Sequence, residues 1–205
     1  MYFLAIDCGL TKIKVNIFSQ SGEKLFEEQE NTPLENFEID TFTLKERVIF
    51  LVKKVLESSK INPSDVAAIS TSGHGNGIYL LDENGVLPKG YSSMFSASEP
   101  YTPATEEVFS ITNQTSWSGQ PLPILAYLKH KKPEIFNKIK TVLFCKDVIK
   151  YFITGKAVTE YTDASAAGLL NYWDMYIPPT ERPSWTALFG GISYSAWAFV
   201  AYSCW

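Results

Sequence analysis

Residues 2–19 read YFLAIDCGLTKIKVNIFS, and the order of residue types along them decides the fold. Residues 2–6 form a short apolar run. Val15, Ile17 and Phe18 resume with β-branched and aromatic character, so two strands joined by a tight turn are expected. Between them lies Asp7-Cys8-Gly9-Leu10-Thr11, a carboxylate at a strand end followed by a glycine and then a hydroxyl. That order suits phosphate chemistry. Gly9 lets the backbone approach a ligand and present N–H groups to it, Thr11 can donate to a phosphoryl oxygen, and Asp7 can hold a hydrated Mg²⁺. A hairpin closed by an Asx-type turn explains the same residues with no ligand at all, and the stretch by itself leaves both readings standing.

Outward from this hairpin, Ser21-Gly22-Glu23 turns into a third expected strand over residues 24–30. Residues 31–41 are polar, contain Pro33, and read as a loop. Thr43 is expected to cap a helix over residues 44–59, with Glu46 completing a capping box. Val48, Leu51, Val52, Val55 and Leu56 then share one helical face. Asn62-Pro63 ends the helix, and Val66-Ala67-Ala68-Ile69-Ser70 supplies another strand, expected to be buried. Three strands, a helix and a strand is the order of the ribonuclease-H-like, actin-like ATPase core. The expected class is therefore α/β, a mixed sheet flanked by helices.

The fourth strand runs into Ser72-Gly73-His74-Gly75-Asn76-Gly77, and a further strand leads to the turn Asp82-Glu83-Asn84-Gly85. Glycine at alternating positions removes side chains where something must approach the backbone. His74 and Asn76 remain as neutral hydrogen-bonding groups suited to the hydroxyls of a sugar or polyol. A glycine-rich loop with a surface histidine is the plainer account of the same residues. The spacing is not that of a dinucleotide-binding glycine motif opening a helix.

Further along, short helices are expected over residues 104–111 and from Pro121 to about His130, where Leu122, Leu125, Ala126 and Leu128 read as core. Lys131-Lys132-Pro133-Glu134 opens another short helix, its lysines expected at a solvated corner. Residues 141–144 form a brief strand, and residues 146–153 a helix stopped by Thr154-Gly155.

The 205 residues are 45% hydrophobic and 20% charged, enough for one sizeable core or for one domain and part of another. The net charge is −4 and Arg47 and Arg182 are the only arginines, which argues against nucleic acid as a partner. Cys8, Cys145 and Cys204 show no metal-binding spacing, so a reducing cytoplasm is the expected location. No basic segment precedes the first strand, and no secretory signal is expected.

Four motifs in order carry a family resemblance. Asp7-Cys8-Gly9-Leu10-Thr11 and Ser72-Gly73-His74-Gly75-Asn76-Gly77 resemble the first phosphate motif and the substrate loop of the FGGY carbohydrate kinases. Lys146-Asp147 with Ile153-Thr154-Gly155, and Thr162-Asp163-Ala164-Ser165, resemble two later segments of the same family. The resemblance covers residues 2 to about 172, the family's amino-terminal domain. It implies transfer of the γ-phosphoryl of ATP to a sugar or polyol hydroxyl with Mg²⁺, a ketopentose or pentitol being suggested by the loop. Carried over by position, Asp7 would help hold the metal, through water. Thr11 and the Gly9 backbone would meet the phosphoryl, and His74, Gly75 and Asn76 would line the sugar pocket.

Two departures accompany it. Where relatives often carry an Asp–Arg pair after the substrate loop, this sequence has Phe95 and Ala97. The family's catalytic carboxylate and its adenosine-binding domain fall beyond the matching residues, so these 205 residues are expected to bind without turning over. Residues 183–205, PSWTALFGGISYSAWAFVAYSCW, carry no charge and three tryptophans. The stretch 173–205 reads as a tail unrelated to the family, as from a truncated or frame-shifted coding sequence. A membrane-inserted segment and an element covering the core are the other readings, of which the membrane is disfavoured by the glycines, the serines and the lack of flanking basic residues. A non-catalytic sugar-binding or regulatory module on the same half-fold is the alternative function, and an actin-like assembly protein a more distant one. Oligomeric state stays open, with a homodimer among the assemblies this reading allows.

Overall fold

The computed structural model describes residues 1–169, so the stretch 173–205 lies outside the described residues. The chain opens with β1 (Tyr2–Cys8), β2 (Lys12–Ser19) and β3 (Lys24–Asn31), an antiparallel meander. In it Leu4 faces Ile17, Ile6 faces Val15 and Cys8 faces Ile13. Because side chains alternate along a strand, this register places all six on one face, where they are buried.

Residues 31–41, expected as a loop, instead contain β4 (Leu34–Glu35) and β5 (Glu38–Asp40). They are joined through Asn36 and Phe37, both at positive φ (50° and 63°). A turn of two left-handed non-glycine residues has little sequence signature. β5 runs directly into α1 (Thr41–Ser59), whose cap is Asp40 rather than Thr43. Asp40 Oδ1 accepts the Thr43 N–H at 2.7 Å, so Thr43 contributes its backbone and not its hydroxyl. That N–H also holds the Asp40 carboxyl below the usual carboxylate range. Leu44, Val48, Leu51 and Val55 then recur at helical spacing and cover the inner face of β1 and β2.

A single 3-10 turn leads to β6 (Val66–Gly73), which lies parallel to β1 and completes a mixed sheet in the order β3-β2-β1-β6. β6 was expected to be buried and is not: Ala67, Ala68, Ile69 and Ser70 are exposed. It is the edge strand, with only β1 beside it among the described residues, so its apolar spelling does not translate into burial.

A second layer follows. β7 (Tyr79–Asp82), β8 (Gly85–Val86) and β9 (Lys89–Tyr91) precede α2 (Thr105–Thr112), α3 (Pro121–Lys131) and α4 (Pro133–Phe136). β10 (Thr141–Leu143) returns to pair with β7, and α5 (Cys145–Thr154) and α6 (Tyr161–Ala166) close the described chain. Here Ile78, Leu80, Tyr91, Phe95 and the inner face of α3 form a separate core. The two cores share a boundary at Tyr79 and Leu80, neighbours on β7 that belong to different sides. The lysine corner is also tighter than expected. Lys131 is exposed, but Lys132 pairs with Glu38 at 3.1 Å and lies over the rings of Tyr91 and Tyr127. Among the described residues no helix is long and apolar enough to cross a membrane.

Candidate functional site

The β1–β2 turn and the segment after β6 lie together because β1 and β6 run in parallel with Asp7 opposite Ser72 and Cys8 opposite Gly73. Both strands therefore deliver their following loops to the same end of the sheet. The His74 N–H donates to the Cys8 carbonyl at 2.9 Å, which joins the loops directly.

In the first loop, the Gly9 N–H closes the turn on Lys12 O at 2.9 Å. That donor is committed within the turn, so the Gly9 backbone expected to meet a phosphoryl group has no N–H left to offer, while the amides of Leu10 and Thr11 make no bond among the described residues. Thr32, buried at the end of β3, grips the loop from behind. Its Oγ1 donates to Gly9 O at 2.7 Å and its N–H to Thr11 O at 3.0 Å. Asp7 and Thr11 themselves remain exposed. Among the described residues no side chain pairs with the Asp7 carboxylate, whose strand neighbours are Lys14 and Ser72. An accessible, uncommitted carboxylate at a strand end suits a cation held through water. Thr32 went unseen in the sequence because a threonine far along the chain carries no local signal for a contact with this turn.

The second loop is built differently. A Cβ at Gly73 would stand 2.6 Å from Cys145 Sγ, and one at Gly77 would stand 2.9 Å from Tyr91 O and closer still to the His74 ring. These two glycines make room for the protein itself. Only at Gly75 is the space open, with nothing within 4 Å of a would-be Cβ. Asn76 sits at φ 59° and turns the loop, with the Gly77 N–H on Gly75 O at 2.9 Å.

His74 does not stand in solvent. Its Nε2 lies 3.0 Å from the hydroxyl of Tyr79, and its Nδ1 is buried with no hydrogen bond among the described residues. Tyr79, fully buried, donates onward to Cys145 Sγ at 3.7 Å. As a thiol, Cys145 donates to Cys8 O at 3.4 Å. Its ionised form is favoured by the Cys8 thiol, by His74 and by Tyr79. Burial pushes its pKa up, but those contacts outweigh burial and bring it down to about 5. Burial pulls the His74 imidazole down, yet the Cys145 sulfur and the Gly75 backbone hold it above its ordinary value. The Cys8 thiol moves the other way, upward, through its bond to Cys145 and its burial. Of the sugar-pocket residues expected, Gly75 and Asn76 thus line the open part of the loop, while the His74 ring is committed inward.

The two later motifs come together beside this site. Asp147, fully buried, accepts from Lys146 at 3.0 Å, Lys150 at 3.2 Å and Thr159 at 2.5 Å. Lys146 also reaches Asp163 at 3.0 Å, joining the starts of α5 and α6, and its carbonyl accepts from Thr71 of β6 at 3.0 Å. Burial pulls the Lys146 ammonium down, and the two carboxylates more than restore it. These motifs fix helices to the sheet. Phe95 is buried, edge-on to Tyr91 at 5.0 Å and Tyr127 at 5.2 Å, while Ala97 is exposed. Where relatives often place a polar pair, the chain has a core aromatic.

Comparison with known proteins agrees with this layout. The sequence model described as "FGGY family of carbohydrate kinases, N-terminal domain" matches residues 2–175. A "Probable L-xylulose kinase" of Pasteurella multocida is 30% identical over 184 residues, covering 83% of this chain and 38% of that protein. The "L-xylulose/3-keto-L-gulonate kinase" of Escherichia coli is 25% identical, with 83% and 36% covered. The chain thus spans well under half the length of these relatives. Among solved structures, a ligand-bound xylulose kinase from Lactobacillus acidophilus superposes with a TM-score of 0.74 at 21% identity, covering 87% of this chain and 38% of that one. A Plasmodium falciparum glycerol kinase with ADP gives 0.74 at 14% identity, covering 95% and 42%. At these identities the likeness shows the fold, which is that of the actin-like sugar kinases.

Proposed function

The chain belongs to the FGGY family of carbohydrate kinases, through that family's amino-terminal domain, and from this premise we propose that it supplies the sugar-binding and phosphate-binding side of an ATP-dependent kinase for a ketopentose or pentitol. The observation that carries the reading is the junction of the two loops. Asp7 and Ser72 are side by side in the parallel register, and His74 N–H is bonded to Cys8 O. A phosphoryl group over the turn and a polyol over Gly75 and Asn76 would therefore be neighbours.

In this reading Gly75 and Asn76 present backbone and amide groups to the polyol hydroxyls, and His74 positions the loop from within. Thr11, with the free amides of its turn, meets the transferred phosphoryl, and Asp7 holds Mg²⁺ through water. The metal supplies neutralising charge for the phosphates when bound. The contribution of these residues is positioning, on which phosphoryl transfer chiefly depends. The relatives' names, L-xylulose and xylulose kinases, support a ketopentose as the substrate class.

Thermal denaturation of the chain with a panel of ketopentoses, pentitols and hexoses tests the proposal. At a sugar concentration near 100 times Kd, stability rises by about 2.7 kcal/mol, which is roughly 5–10 °C for a chain of this size. A rise with one ketopentose or pentitol and none with hexoses is expected, as is a further response to ATP with Mg²⁺ that requires Asp7. A chain indifferent to every sugar but assembling into filaments with ATP would refute the reading.

A further inference from the structure

Neither the phosphate turn nor the polyol loop uses the thiols of Cys8 and Cys145. Cys8 ends β1 and Cys145 begins α5, and both are free and fully withdrawn from solvent. Cys145 Sγ lies 3.4 Å from the Cys8 carbonyl, so the end of β1 and the start of α5 bring the two cysteines together. Structural buried cysteines usually sit among apolar atoms and are inert. Here the Cys145 sulfur meets the Cys8 backbone and a phenol that in turn meets the His74 imidazole, polar surroundings with a second cysteine at hand to resolve it.

We propose that Cys8 and Cys145 form an oxidisable dithiol, in which a hydroperoxide converts Cys145 to a sulfenic acid and Cys8 resolves it to an intramolecular disulfide. In the first step the Cys145 sulfur attacks a peroxide oxygen. The S–O bond forms as the O–O bond breaks, and the departing oxygen leaves as water with the proton that the Cys145–His74 pair carries. In the second, the Cys8 sulfur displaces the sulfenic hydroxyl. The S–S bond forms, the S–O bond breaks, and a second water carries off the Cys8 proton. Two electrons pass from the thiols to one hydrogen peroxide. The new bond draws the Cys145 sulfur away from Tyr79 and His74, and so loosens the glycine loop from the helix beneath it. That last consequence for sugar binding rests on the kinase reading above; the oxidation itself does not.

The test treats the full 205-residue chain with hydrogen peroxide, blocks remaining thiols with N-ethylmaleimide under denaturing conditions, and maps the digested peptides. A peptide joining Cys8 to Cys145, lighter by two hydrogens and cleaved by dithiothreitol, is expected. It persists in Cys204→Ser and is lost in Cys8→Ser and Cys145→Ser. Mapping of the unmutated chain decides the matter even where a serine variant fails to fold. Both thiols still capturing maleimide after peroxide, Cys145 driven to sulfinic acid with Cys8 free, or a bridge to Cys204 would each overturn the proposal. Oxidised chain should also lose the sugar-induced rise in melting temperature and regain it with dithiothreitol. A mapped bridge in a chain that binds no sugar when reduced upholds the dithiol and removes the kinase reading instead.

Discussion

The turn after β1 and the loop after β6 lie side by side, both contain glycine, and they are built on opposite plans. The turn is held by its backbone: Thr32 takes two of its carbonyls, and the side chains of Asp7 and Thr11 are left to solvent. The loop is held by its side chain: His74 enters a buried group with Tyr79 and Cys145, and the backbone around Gly75 is what stays open. Glycine therefore has two uses in one site. At 73 and 77 it admits the protein's own atoms, and at 75 it leaves open space.

Substitution of these glycines offers the sharpest break in that comparison. Gly77→Ala should cost about 1–3 kcal/mol, since the carbonyl of Tyr91 cannot move aside, while Gly75→Ala should stay within about 0.5 kcal/mol. Denaturant unfolding of both variants measures this, and equal costs would erase the distinction.

A second effect belongs to the loop alone and depends on pH. Unfolded, Cys145 and His74 both hold protons below the imidazole's ordinary 6.5; folded, Cys145 stays ionised down to about 5. The unfolded chain binds more protons in that interval, so this pair's contribution to stability falls as pH drops from 6.5 to about 5. At higher pH the loss of the His74 contribution offsets the gain from Cys145 until the imidazole has titrated in both states. Comparing melting curves of the wild type with Cys145→Ser should show a shallower acid slope in the variant, and thiolate absorbance should persist in the wild type to about pH 5.

The turn should respond to the loss of its latch. Thr32→Val removes the donor to Gly9 O and should cost about 1 kcal/mol in stability, weakening phosphate-dependent stabilisation while sparing the sugar response. Smallest in stability is Asp7→Asn, within about 0.5 kcal/mol because the carboxylate is exposed and unpaired among the described residues. Calorimetric titration should nonetheless show that this variant has lost its Mg²⁺-dependent response to ATP.

The hairpin, the helical face that includes Val48, Leu51 and Val55, and the two loops were legible because each is written in local periodicity or in glycine spacing. What stayed hidden depends on distant partners. Thr32 carries no mark of its bond to Gly9, and the apolar spelling of residues 66–70 could not tell that β6 lies at an edge. The inward turn of His74 required knowing that Tyr79 and Cys145 would meet beneath it. The cap at Asp40 was misread because Thr43 is also a capping residue type, and the choice depends on β5 running straight into the helix.

The parallel pairing of β1 with β6 also sets an order of events. A hairpin such as β1–β2 closes in ~1–10 μs, whereas Cys8 can meet Gly73 only after β3, β5 and α1 have been laid down between them. Distant pairings of this kind are the slow part of folding. The turn after β1, with its latch from Thr32, is thus complete within the first meander and waits for its neighbour. On a growing polypeptide, the two halves of the site come into being at different times.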